Sequence, residues 1–83
     1  MKTIVLTAGA AKQLDALPPI AQEQVVDALE EYAISGAGDV KPLIGRGGYR
    51  LRAGQYRIIF AEDQVSVLAV YIGRRQTNTY GRN

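Results

Sequence analysis

The chain predicts a small α+β fold: an N-terminal strand, a helical hairpin, then a three-stranded antiparallel meander with the helices on one face of the sheet. Three observations carry this reading. An Ala- and Leu-rich stretch with helical spacing is split by Pro18-Pro19. After residue 48 the helical spacing gives way to strand-like runs, of which residues 49–52 alternate strictly between apolar and polar. The turns between the alternating runs are short, which pairs neighbouring strands antiparallel.

Each element has its local reason. Residues 2–6, Lys-Thr-Ile-Val-Leu, are apolar and β-branched and read as a short strand. Thr7 is a good N-cap, and Ala10, Leu14 and Leu17 share a helical stripe over Ala8 to Leu17. Pro18-Pro19 ends that helix and opens a second, running from about Pro19 to Ile34. Its apolar stripe is Ala21, Val25, Ala28, Leu29 and Tyr32, with Glu23, Asp27, Glu30 and Glu31 on the wet side. Gly36 is placed to cap it. Residues 40–48 read as a loop, because Pro42 and the Gly45-Arg46-Gly47-Gly48 run interrupt any period. Strands follow at 49–52, 55–61 and 64–72, with turns at Ala53-Gly54 and Glu62-Asp63.

At 83 residues the chain makes one domain, spanning 1–83. A hydrophobic fraction of 47% with 22% charged residues is ordinary for a folded globular protein, which argues against disorder. There is neither cysteine nor histidine, which excludes thiolate metal sites, disulfides and Ser-His-Asp chemistry. No metal and no cofactor is expected; the glycine cluster at 45–48 lacks the Gly-Lys-Ser/Thr ending of a phosphate loop. The N-terminus turns polar at Thr7, too early for a signal peptide, and no apolar run reaches the roughly 20 residues of a membrane span. The expectation is a cytoplasmic protein with no membrane partner.

A net charge of +2 conceals an uneven distribution. Residues 1–41 hold three lysines against six acids, a net of −3, while residues 42–83 hold seven arginines against two acids, a net of +5. A basic half of this kind suits a polyanion or an acidic partner, or else a solvated face. With a two-residue turn at Ala53-Gly54, Arg50 faces Arg57, and Arg52 lies on the same side of the sheet. Tyr49, Leu51, Tyr56, Ile58 and Phe60 then share the core side. The same logic at Glu62-Asp63 sets Phe60 opposite Val65, Ile58 opposite Val67 and Arg57 opposite Leu68. Facing like charges destabilise a sheet, so this cluster points to phosphates or an acidic partner, unless an acid elsewhere in the chain pairs with it. Arg74 and Arg75 follow the last strand and join the same patch in this register.

The segments Val40-Lys41-Pro42-Leu43, Tyr49-Arg50-Leu51-Arg52-Ala53-Gly54-Gln55-Tyr56-Arg57 and Val67 to Arg75 resemble the RelE/ParE superfamily of bacterial type II toxins over essentially the whole chain. The resemblance implies the RelE-like fold and, in the RelE branch, a ribosome-dependent endoribonuclease that cuts mRNA in the A site. Cleavage there is by metal-free attack of the ribose 2′-hydroxyl. Carried over position by position, Arg50, Arg57, Arg75 and Tyr80 are catalytic, and Arg46, Arg52 and Arg74 hold RNA. Gly48 stands where many RelE-type toxins carry a lysine, Arg50 stands where a second usually follows, and Tyr80 is one residue nearer the arginine pair. The resemblance further implies a cognate antitoxin, which reads operator DNA for the complex. The alternative is the ParE branch, which binds DNA gyrase and is not a nuclease.

Overall fold

The computed structural model describes residues 1–45 and 47–75. In chain order the elements are β1 (Thr3–Leu6), α1 (Ala8–Asp15), α2 (Pro19–Ser35), β2 (Asp39–Pro42), β3 (Tyr49–Ala53), β4 (Tyr56–Glu62) and β5 (Ser66–Arg74). The five strands form one sheet in the order β1-β5-β4-β3-β2. β1 runs parallel to β5, and the remaining pairs are antiparallel. No described helix is long and apolar enough to cross a membrane.

The helices form where the sequence dictates. Thr7 Oγ1 accepts from Ala10 N at 3.1 Å, capping α1. Gln22 Nε2 donates to the carbonyls of Leu14 and Asp15, tying the start of α2 to the exposed end of α1. Gly36, in the left-handed region, closes α2 by donating its N–H to Tyr32 O at 2.8 Å. The buried stripe of α2 is Ala21, Val25, Leu29 and Ala33. It packs on the sheet face made of Leu51, Ala53, Ile58, Phe60, Val67, Ala69 and Ile72. Tyr49 and Tyr32 flank Phe60, with ring centroids 5.5 and 5.0 Å away.

Three sequence expectations need correction. Residues 39–42 form an edge strand, so the meander has four strands, not three. Pro42 fits there because an edge strand leaves one side unpaired. The β3–β4 turn is Gly54-Gln55, which pairs Ala53 with Tyr56 and moves the register by two residues. Gly54 has φ +60°, suited to the first central position of such a turn, and Ala53 stays in the core. A shift of two preserves every face but changes every partner, so Arg57 faces Arg52, not Arg50.

The third correction lies in β5. The β4–β5 turn is longer than two residues and is held by Asp63 Oδ1, which accepts from the N–H groups of Val65 and Ser66 and from Ser66 Oγ. Val65 is left 70% exposed and is not Phe60's partner. A bulge follows: Phe60 pairs with Ala69, while the preceding Ile59 pairs with Tyr71. Val70 is the extra residue, and it reverses the alternation. Val67 and Ala69 face the core before it, Ile72 after it.

Candidate functional site

The sheet face away from the helices is organised as two cross-strand rows. Lys41, Arg50, Ile59 and Tyr71 form one row across β2, β3, β4 and β5; Asp39, Arg52, Arg57 and Gly73 form the other. Directly opposed residues share a face, so three arginines and a lysine gather around one carboxylate. That carboxylate is the acid from elsewhere in the chain. Asp39 approaches Arg50 at 3.8 Å and Arg52 at 3.7 Å, both too long for a hydrogen bond. Half-exposed ion pairs of this kind contribute about 0–1 kcal/mol, so Asp39 offsets the repulsion only in part.

Arg52 reaches solvent, but Arg50 and Arg57 are not splayed into water. The Arg50 side chain is only 14% exposed. Arg50 Nη1 and Arg57 Nε are both buried, and neither finds an acceptor among the described residues. A buried charged donor left unpaired costs more than about 1–3 kcal/mol, so two on one face form a demand for acceptors. Phosphate or carboxylate oxygens meet it.

The other predicted residues divide. Arg75 lies just past β5; its N–H donates to Gln55 O at 2.7 Å and its guanidinium to Gly54 O at 3.1 Å. It is thereby fixed at the turn end of the arginine row. Arg74 opposes Tyr56 and so takes the helix side of the sheet, which removes it from the arginine patch. Its guanidinium lies 5.9 Å from the Tyr56 ring centroid and donates to Gln55 Oε1. Arg46 and Tyr80 lie outside the described residues.

Two further residues belong to this face. Asp39 was missed because its strand was read as a loop; the signal was the alternation of Asp39-Val40-Lys41 ahead of Pro42. Tyr71 was missed because the Val70 bulge turns it outward, and a bulge leaves little trace in one sequence. The signal available was Gly73, two places on in the same strand, since glycine there marks a close approach.

Glu62 is engaged on the opposite side. Lys2 Nζ donates to Glu62 Oε1 at 2.7 Å and the Tyr32 hydroxyl to Oε2 at 2.8 Å. These bonds, Lys2's first, hold its carboxyl below the ordinary value. Burial, and then the bond to Glu62, push the Tyr32 phenol up to about 12. This network ties β1, α2 and β4 together and offers no base to the arginine face.

The profile of one family, described as the ParE toxin of type II toxin–antitoxin system, parDE, matches residues 4–78. No curated protein matches significantly. Among solved structures, the RelBE2 toxin–antitoxin complex of Mycobacterium tuberculosis is similar at 26% identity, covering 89% of this chain and 98% of that one, with a TM-score of 0.77. The intact RelBE complex of Escherichia coli is similar at 20% identity, covering 93% and 100%, with a TM-score of 0.71. The YoeB/ParE toxin of Agrobacterium tumefaciens is similar at 15% identity, covering 92% and 100%, with a TM-score of 0.73. At their identities the last two speak to the fold alone.

Proposed function

The chain belongs to the ParE toxin family of type II toxin–antitoxin systems, within the RelE/ParE superfamily, and on that premise we propose that its arginine face grips messenger RNA and cuts it in the ribosomal A site. The observation that carries this reading is the pair of buried, acceptor-less nitrogens, Arg50 Nη1 and Arg57 Nε, on a face otherwise open to a ligand. RNA phosphates supply the acceptors.

In this reading the ribose 2′-oxygen attacks the adjacent phosphorus and the bond to the 5′-oxygen breaks. The products are a 2′,3′-cyclic phosphate and a 5′-hydroxyl; one proton leaves the 2′-oxygen and one joins the 5′-oxygen. Arg50 and Arg57 stabilise the charge that builds on the phosphoryl oxygens, and Arg52 holds the neighbouring phosphate. Arg75 closes the end of the row, and Tyr80 is assigned the 2′-proton. Arginine stays protonated at ordinary pH, so the 5′-oxygen receives its proton from another donor. The ribosome orients the substrate, which can supply much of a barrier.

A cognate antitoxin is the second partner. The solved relatives that are toxin–antitoxin complexes support it, as does a face that a carboxylate-rich segment would satisfy. Reversing the charge of Arg50 and Arg57 weakens antitoxin binding if it covers this face. The antitoxin brings the complex to operator DNA.

One observation favours a second reading: the matching profile is that of ParE, and Gly48 and Arg50 replace the lysines of RelE-type toxins. Here the same arginines contact DNA gyrase. Induction in cells with mapping of mRNA 5′ ends, beside a supercoiling assay on purified protein, separates the two. New 5′ ends inside translated codons, lost with Arg57→Ala or Tyr80→Phe, support cleavage. Intact mRNA with inhibited supercoiling overturns it in favour of gyrase.

A further inference from the structure

We propose that the Tyr71 ring is a stacking platform for one base of the single-stranded RNA whose phosphates the arginines hold. The proposal rests on the RNA reading above and adds to it a residue that contacts the base, where the arginines contact only the backbone.

Four features converge on Tyr71. The Val70 bulge places it on the arginine face instead of in the core. It remains 38% exposed there, so part of the ring is accessible to a ligand. The ring lies down across Gly73: a Cβ at that position would come within 2.6 Å of Tyr71 Cζ and 2.9 Å of Cε2, below any real contact. Only glycine at 73 leaves this space. And the Arg57 guanidinium sits over the ring at 6.0 Å from its centroid, so the cation that carries the phosphate role and the aromatic plate form one unit on which a base can stack.

A flat ring resting on backbone with a guanidinium beside it is what base recognition on single strands uses. Every base has a π-face, and stacking is added to, not exchanged for, the phosphate contacts. The rows set the spacing: Tyr71 is one strand from Arg57 and two from Arg50, roughly 5 and 10 Å across the sheet. A nucleotide whose phosphate lies at Arg50 and Arg57 therefore has its base within reach of the Tyr71 ring.

The test is a short single-stranded oligoribonucleotide carrying 2-aminopurine, titrated with full-length protein, free and on programmed ribosomes. Stacking quenches the fluorescent base. Tyr71→Leu should lose the quench and weaken binding by about tenfold, while Tyr71→Phe keeps both. Gly73→Ala should lift the ring and reproduce the Leu phenotype with Tyr71 intact, and the double variant should lose no more than either alone. Circular dichroism checks that each variant is folded. Equal affinity and equal quench for wild type and Tyr71→Leu overturn the platform, and with Arg57→Ala still losing binding the RNA reading survives. If wild type binds no RNA in either format, the RNA reading fails and the platform fails with it. If Tyr71→Leu keeps RNA binding but loses the antitoxin, the ring is a protein contact and the proposal is overturned.

Discussion

Arg57 stands between a like charge on one side, Arg52, and a glycine on the other. The Tyr71 ring is a favourable partner of the same order as that repulsion, so Arg57→Ala should abolish growth arrest on induction while the thermal midpoint stays about level. A drop in soluble protein would instead make Arg57 structural. Asp39→Asn removes the one acid from the rows; it should change stability by less than about 1 kcal/mol yet raise RNA affinity and steepen its salt dependence, measured by titration at two ionic strengths. Gly48→Lys, which would install the lysine of RelE-type toxins, should destabilise by about 1–3 kcal/mol in a denaturant melt. The backbone there has φ +102°, and a Cβ would lie 2.9 Å from Phe60 O. The arginine face was legible from residue types alone because alternation fixes the side, whatever the partner. The partner depends on which two residues make the turn, and Ala53-Gly54 and Gly54-Gln55 differ only by the backbone freedom of Gly54.

At the scale of elements, both helices were legible because their signals are local: a capping threonine, a proline pair, a glycine stop. Thr7→Ala should cost about 1 kcal/mol in an equilibrium melt by freeing the Ala10 N–H. Leu51, 1% exposed, fills the centre of the interface between α2 and the sheet; Leu51→Ala should cost about 2–5 kcal/mol, enough to deplete soluble protein on expression. The β2 strand was faint in the sequence because the alternation of Asp39-Val40-Lys41 is short and ends at Pro42; among the described residues it pairs with β3 alone, and that pairing more than propensity makes it a strand. The bulge in β5 was illegible for a related reason. It is fitted to the geometry of β4 alongside, and within β5 only Gly73 hints at it.

For the whole molecule, the charge split seen in the sequence becomes spatial: Arg50, Arg52 and Arg57 on the open face, most acids on the exposed side of α2 or in turns. The Lys2–Glu62–Tyr32 network joins three elements, and it makes stability depend on pH. Glu62 titrates below its ordinary 4.5 in the fold, so its contribution is complete above about that pH and drains away as the pH falls through the lower folded value. Glu62→Gln should cost about 1–3 kcal/mol at neutral pH and flatten that acid limb, read from thermal midpoints between pH 3 and pH 7. The parallel pairing of β1 with β5 has a consequence in time. Thr3 waits for Ser66, and β4 has β3 on one side but lacks its second neighbour until then. Such a distant contact is closed only after the intervening chain exists, so a nascent chain halted before Ser66 holds β2, β3 and β4 but cannot join β1 to them. The cations of the two rows are therefore all synthesised before β5, and the last pieces the rows receive are Tyr71 and Gly73, together with the β1 strand that closes the sheet.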